Sequence, residues 1–480
     1  MTINRATAER GIADAAAHRL ADEVAARMDR LPMTALHRRI AGTIALGTFF
    51  DSFDSLIIAA ALTAIVSSLH ISYTQVGLLI SSAYVGMTVG APFFGWLAEI
   101  VGRKPVCVWM IAGFGALSLV AAFAWNFESL LVVRMIEGLA LGGQIPVSSA
   151  LYSEFLPAAR RGRGFFWGYT VLFSTGIFLA PLVGLACFAI FGPAVGWRAL
   201  FATGGLALPL AIMMHYLVPE SPRWLAENGR GAEADATVAR YEAAARDSGK
   251  ALPQPQVNYR GERQTTRLGE LFQGIYTRRT VLCWLLFFAT YFVSYGLQIW
   301  IPTLYVKIGG LPPRNALMLA VISGAITLCL VFVWGEVADR IGRTKSFVVG
   351  YGLSVVGLAL GIFLVAVLHI TGWPMLFSSG LIALIGTNFT AALCFLYTAE
   401  LFPTRMRAWA TSTGSTISRI GSFIAPTAVG SLLDANLGIV SVYAMFAVMG
   451  CLGIAAIALL GPETSEGALE DVSAGAKTVP

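Results

Sequence analysis

Long, unbroken apolar runs recur along this chain too often for any water-soluble fold to bury them. They start near Ile40, Gln75, Pro105, Phe127, Arg163, Trp197, Thr280, Asn315, Lys345, Pro374, Ala408 and Gly438, twelve in all. A bilayer-crossing helix takes about 20 apolar residues, so twelve of them use roughly half of the 480 residues and leave room for loops. Only 12% of the residues are charged, about half the share of a soluble domain, which excludes a soluble globular protein. With 56% hydrophobic residues the chain is no disordered polymer either. The runs are continuous rather than alternating in about ten-residue strands, which excludes a porin-type barrel. The fold class expected is an all-α membrane protein with twelve transmembrane helices.

The net charge of +6 is topology rather than a nucleic-acid surface. Assigned alternately to two sides, the loops put Arg38, Arg39, Arg103, Lys104, Arg160, Arg161, Arg163, the basic residues from Arg223 to Arg279, Arg340, Arg343, Lys345, Arg405 and Arg407 on one side. Arg198, Lys307 and Arg314 are left on the other. The basic side is cytoplasmic by the positive-inside rule, so both termini are expected there. The partners implied are a lipid bilayer and no nucleic acid. Cys107, Cys187, Cys283, Cys329, Cys394 and Cys451 all fall within spans without metal-ligand spacing, and read as apolar packing. The first 35 residues lack an apolar h-region, so a cytoplasmic tail is expected there rather than a cleaved signal. No phosphate-binding loop, metal cluster or nucleophile elbow is present, so neither a cofactor nor an enzymatic activity is expected.

The chain repeats itself. Gly95-Trp-Leu-Ala-Glu99-Ile-Val-Gly102-Arg103-Lys104 returns as Gly335-Glu-Val-Ala-Asp339-Arg340-Ile-Gly342-Arg343. Glu154-x-x-Pro157-x-x-x-Arg161 returns as Glu400-x-x-Pro403-x-x-x-Arg407, and Pro219-Glu220-Ser221 as Pro462-Glu463-Thr464. The offsets are 240, 246 and 243 residues, close to half the chain. Two parallel six-helix repeats follow, with a substrate site near the midplane between them. The expected domains are a cytoplasmic tail (1–39), an N-terminal bundle (40–218), a cytoplasmic central loop with short helices (219–279), a C-terminal bundle (280–461) and a cytoplasmic tail (462–480).

The Gly-x-Leu-Ala-acid-x-x-Gly-Arg-Lys run between spans 2 and 3 resembles the signature of the major facilitator superfamily. Its weaker second copy, the two Glu-x-x-Pro-x-x-x-Arg segments and Pro219-Glu-Ser-Pro-Arg223-Trp-Leu resemble the sugar-porter lineage within it. Asp51-Ser-Phe-Asp54 is similar to the Asp-Gly-x-Asp of aromatic-acid/proton symporters. The span 4 run resembles the branch of nicotinate transporters and synaptic-vesicle-protein-2-like members. The likeness covers Ile40 to Thr464, and it implies proton-coupled or facilitated transport by alternating access. The chain departs from hexose porters in lacking the span 7 Gln-Gln…Asn cluster, any Gln in span 5 (Gly164 to Phe191) and the span 10 Gly-Pro-x-x-Trp pattern.

Charges within spans cost about 2.5 kcal/mol or more each on insertion scales and ask for a reason. Asp54 lies roughly 9 Å below the outer face and Arg134 roughly 10 Å, by the rise of a helix across a 30 Å core. They are level. Asp51 and Glu137 fall about a turn deeper. An Asp that alternates between pairing with Arg and holding a proton is a coupling device, since moving the Arg or changing water access loads or releases the proton. The resemblance assigns that pairing to Asp54 and Arg134, with Asp51 and Glu137 beside them.

Arg419 sits roughly 17 Å into span 11, near the midplane, among Ser412, Ser415, Thr416, Ser418 and Ser422. A polar strip at that depth faces a cavity rather than lipid, and an arginine there offers two donors to a carboxylate. Tyr291, Tyr295 and Gln298 of span 7, with Asn388, Phe389 and Tyr397 of span 10, could stack a planar ring and bond its substituents. Glu99, Arg103, Glu154, Arg161, Asp339, Arg343, Glu400 and Arg407, joined by Glu220 and Arg223, sit at span ends where a charge network can latch the inner gate in the outward-facing state. Gly138, Gly142 and Gly143 permit close helix approach, and Pro146, Pro181 and Pro426 are candidate kinks. The expectation is a monomeric inner-membrane transporter of a bacterium that carries a small organic anion, of the aromatic or pyridine carboxylate type, with protons. A sugar or polyol porter, an organic-cation carrier and a non-transporting nutrient sensor remain as alternatives.

Overall fold

The computed structural model describes residues 19–157, 164, 166–249, 252–255 and 268–464; Arg160, Arg161 and Arg163 lie outside the described residues. Among these there is no strand. Span 1 is Ala35–Leu69, span 2 Tyr73–Val101, span 3 Arg103–Ala121 and span 4 Phe127–Glu154. Span 5 opens with a π-helical turn at Phe166–Val171 and continues into the helix Leu172–Gly204. That helix breaks at Gly192, whose φ of 69° only glycine adopts freely. Pro193 then restarts it as span 6, which continues through Ala207–Leu217. Spans 7 to 12 are Ile275–Lys307, Pro313–Ile341, Arg343–Ala366, Trp373–Leu401, Thr404–Asp434 and Gly438–Leu460.

Two expectations are refined. Span 1 starts five residues earlier than its apolar run, because Thr34 caps it: the His37 amide bonds the Thr34 hydroxyl at 3.4 Å. Arg38 and Arg39 therefore ride on the first turns of the helix. Among the described residues ten helical stretches are long and apolar enough to cross a membrane, spans 5 and 6 counted together. Span 11 is kept out of that set by its own serines, threonines and arginine.

Spans 2 and 11, spans 5 and 8 and spans 1 and 7 pack across the two halves. The apolar core is continuous between the halves at the end away from the basic loops, where Leu56–Ile65 of span 1 and Phe292–Tyr305 of span 7 share one cluster. At the basic end it divides: Leu282, Phe287, Phe347, Tyr397 and Phe402 form a separate cluster within the C-terminal half.

Short helices cover the basic end of the N-terminal half. One spans residues 19–29, and two more are Pro222–Glu227 and Gly231–Asp247. Arg27 of the first and Arg30, just past its end, donate to Glu242 of the last, at 3.1 and 2.7 Å. These guanidiniums, Arg27 foremost, hold the Glu242 carboxyl below its ordinary value. Tyr241 stacks on Phe155 at 5.8 Å and meets His37 edge-on at 4.6 Å, which ties tail, central loop and bundle together.

Candidate functional site

Asp51 and Asp54 are three residues apart on span 1, so they share a side of the helix, and Arg134 and Glu137 do the same on the antiparallel span 4. The structure brings three of the four into contact. Arg134 Nη1 donates to Asp54 Oδ2 at 2.9 Å and to Glu137 Oε2 at 2.7 Å. Ser118 of span 3 donates to Asp54 Oδ1 at 3.1 Å and bonds the Phe201 carbonyl of span 6 at 2.9 Å. The guanidinium also lies 5.7 Å over the Phe201 ring. None of the three charged groups is more than 2% exposed. Two carboxylates on one guanidinium nitrogen leave one negative charge over, an excess that a single proton would neutralise. Gly138 and Gly142 hold span 4 against span 2 so closely that an added Cβ would strike the Ala83 and Met87 carbonyls.

Asp51 is buried a turn away, and the charges acting on it are those of Arg419 and Asp54. Arg419 Nη2 reaches across the midplane to donate to the Gly142 carbonyl of span 4 at 2.8 Å. It thus bonds backbone in this state, with Asp51, Tyr295 and Tyr291 as its electrostatic neighbours. Tyr291 and Tyr295 stack at 5.9 Å, and Tyr84 of span 2 meets Tyr295 edge-on at 5.3 Å. Gln298 and Asn388 line a small cavity of about 50 Å³ between spans 1, 5, 7, 8 and 10, room for a few waters. Phe389 and Tyr397 lie elsewhere. Phe389 is fully buried and stacked on Trp334 at 4.4 Å, and the Tyr397 hydroxyl donates to the Pro462 carbonyl at 2.6 Å at the basic end. Both are packing groups here, because an aromatic on a span fills core as readily as cavity.

The two halves repeat one knot at their basic ends. In the first, Arg103 and the Ser221 hydroxyl converge on Glu154, while Glu220 accepts the Lys104 amide at 3.1 Å and so caps span 3. In the second, Arg343 reaches Glu400 at 3.2 Å, the Thr464 hydroxyl bonds Glu400 at 2.5 Å, and Glu463 accepts the Arg343 and Thr344 amides at 2.8 and 3.1 Å, capping span 9. Arg103 also lies 3.8 Å from Glu99, Arg343 2.7 Å from Asp339 and Arg223 3.3 Å from Glu227. Burial, set against these backbone donors, pushes the Glu220 carboxyl up. Each of these pairs lies within one half, so in this state the network braces the halves separately; the latch expected of it belongs to the opposite state. Arg407 has no ion pair among the described residues, and Arg161 lies outside them.

The opposite end carries further bonds between the halves, a feature the sequence reading missed. Asp434, the last residue of span 11, accepts the Tyr73 and Thr74 amides at the start of span 2, at 3.1 and 2.7 Å. Ser81 of span 2 bonds the Phe423 carbonyl at 2.5 Å and the Thr427 hydroxyl at 2.7 Å. Lys307 sits 3.5 Å over the Tyr73 ring. With the divided core at the basic end, these bonds describe a state shut at the end away from the basic loops.

Twelve helices in two matched halves, with charges gathered between them and one end sealed, define a membrane transporter of the major facilitator fold. Residues 40–475 match the family described as "Sugar (and other) transporter". The chain is 30% identical to the niacin transporter NiaP of Acinetobacter baylyi over 94% of its own length and 99% of that protein's. It is 28% identical to the 4-hydroxybenzoate transporter PcaK of Pseudomonas aeruginosa, over 92% of this chain and 96% of that one. Its fold resembles that of the proton:xylose symporter XylE, with a TM-score of 0.72 at 20% identity, over 92% of this chain and 99% of that one. The chain belongs to the sugar (and other) transporter family of the major facilitator superfamily. It is a transporter and not an enzyme.

Proposed function

We propose that this transporter takes up a small aromatic or pyridine monocarboxylate with protons, by alternating access. It would act as a monomer in the inner membrane of a bacterium, with both termini cytoplasmic. The observation that carries the anion is Arg419, a half-buried guanidinium at the midplane whose bond to the Gly142 carbonyl is one that a carboxylate can replace with a stronger, charge-assisted pair. Tyr291 and Tyr295 supply ring faces beside it, and Gln298 and Asn388 supply amides for ring substituents. NiaP and PcaK are named for niacin and 4-hydroxybenzoate, each a planar ring bearing one carboxylate. The proton resides on the Asp54–Glu137–Arg134 group, with Asp51 linking that group to Arg419. The cytoplasmic knots of Glu99, Arg103, Glu154 and Glu220 in one half, with the Arg223–Glu227 pair beside them, and of Asp339, Arg343 and Glu400 in the other, keep each half rigid while it rocks.

The test is thermal stabilisation of the purified protein by nicotinate, 4-hydroxybenzoate, xylose and choline, repeated on Arg419→Ala. A ligand at a hundred times its Kd stabilises by about 2.7 kcal/mol, several degrees of Tm. The two carboxylates should stabilise the wild type and not the variant. Stabilisation by xylose or choline, or by carboxylates equally in the variant, would remove the carboxylate role of Arg419.

A further inference from the structure

Below its charged pair, span 4 carries a second polar series. Glu137, Gln144, Ser148 and Tyr152 are seven, four and four residues apart, which sets them on one side of the helix. Gln144 is fully buried, and neither its amide oxygen nor its amide nitrogen has a hydrogen-bond partner among the described residues. Its nitrogen lies against span 1 at Gly47, where an added Cβ would strike it. Thr48, the next residue, stands beside Tyr169 of span 5. The Tyr169 hydroxyl shares a 2.9 Å hydrogen bond with Ser148. Tyr152 meets Tyr169 edge-on at 5.1 Å and donates to the Gly164 carbonyl at 2.7 Å, towards the basic end. Upwards, Thr48, Asp51 and Asp54 follow at three-residue steps on span 1, and Glu137 keeps one carboxylate oxygen without a partner. The charged groups around this column are Asp51, Asp54, Arg134 and Glu137 above, Arg419 facing Asp51 from span 11, and the Arg103–Glu154 pair below.

A buried amide with both ends unbonded is unfavourable unless water meets it. A place where Thr, Ser and Tyr hydroxyls converge is polar enough to hold that water. We infer that a file of buried waters runs through the interior of the N-terminal half, from the Asp54–Glu137 carboxylates past Gln144 and Thr48 to Ser148, Tyr169 and Tyr152. It is the route by which the proton reaches the cytoplasm, separate from the path of the substrate between the halves. This inference rests on the proton-coupled reading above. Each water accepts one proton and passes on another, so no member of the file ends charged; the carboxylate that released the proton is left ionised against Arg134. Gln144 is a positioning residue, orienting water without carrying the proton.

The experiment compares gradient-driven uptake of nicotinate with nicotinate counterflow in proteoliposomes, because counterflow needs no net proton release. Gln144→Leu should slow gradient-driven uptake about tenfold and leave counterflow unchanged. An equal effect on both, or on neither, overturns the route. If Gln144→Leu folds poorly, Thr48→Val and Ser148→Ala should show the same split. Wild-type uptake that ignores the proton gradient would sink the proton-coupled reading itself. Substrate-free radiolytic labelling then still decides the water file: buried Tyr152 should be modified by hydroxyl radicals in the wild type and spared in the Gln144 variant, and an unmodified wild-type Tyr152 overturns it.

Discussion

The two halves share a frame and differ in what they bury. At the basic ends Glu154 with Arg103 and Ser221 is matched, part for part, by Glu400 with Arg343 and Thr464. In the interiors the likeness ends. The N-terminal half buries Asp51, Asp54, Glu137 and Arg134, whereas among the described residues no carboxylate is buried in the spans of the C-terminal half. There the polar bonds are those of hydroxyls, with one another or with backbone: Thr290 with Tyr351 at 2.7 Å and Thr390 at 3.2 Å, Tyr351 with the Leu286 carbonyl at 2.9 Å, and Ser379 with Tyr443 at 3.2 Å. Two halves that must rock against each other need the same braces. Chemistry needs asymmetry, because a charge that changes protonation must be bonded in both of its forms, while neutral hydroxyl pairs only hold shape.

The sharpest break in this comparison is the removal of Arg134. Arg134→Leu leaves Asp54 and Glu137 buried without their cation and should lower stability by about 3–5 kcal/mol, read as a large fall in Tm of the purified protein. Replacing all three groups together, Asp54→Leu, Glu137→Leu and Arg134→Leu, should recover most of that loss, since apolar packing often matches a buried ionic cluster. A triple variant as unstable as the single one would mean that the cluster serves structure rather than proton coupling. Asp54→Asn is milder. The amide oxygen still accepts from Arg134, and the amide nitrogen can donate to the Ser118 hydroxyl, which keeps its bond to the Phe201 carbonyl, so folding survives, but the amide cannot bind and release a proton. Accumulation of nicotinate against its gradient should fall to equilibration, with counterflow retained; accumulation at the wild-type level would place the proton elsewhere.

Much of this was legible in the residues because helices turn spacing into depth. The level placement of Asp54 and Arg134 follows from counting 1.5 Å per residue, and the contact at 2.9 Å obeys it. The three motif pairs marked the halves because their residues are one another's partners in each knot. What resisted was whatever depends on the angle at which helices meet. Whether Arg419 bonds a carbonyl of span 4, or Phe389 faces Trp334 rather than a cavity, is decided by packing between distant spans. Gln144 was passed over because it follows Gly142 and Gly143 in a run that reads as close packing, and only its unbonded amide marks it out. Asp434 ends span 11, and its bonds to the first amides of span 2 depend on how those two helices meet.

The smallest effect belongs to the C-terminal interior. Thr290 is fully buried and shares its hydroxyl with Tyr351 and Thr390. Thr290→Val keeps the branched shape and removes one hydrogen-bonding group. Tyr351 still donates to the Leu286 carbonyl, and Thr390 still bonds the Thr387 carbonyl at 3.0 Å, so neither partner is orphaned. The expected loss is about 1 kcal/mol, with uptake and proton coupling both unchanged. A fall in coupling on Thr290→Val, without a matching fall in Tm, would show that protonation is read by the C-terminal half as well. The division between a half that titrates and a half that holds shape would then have to be given up.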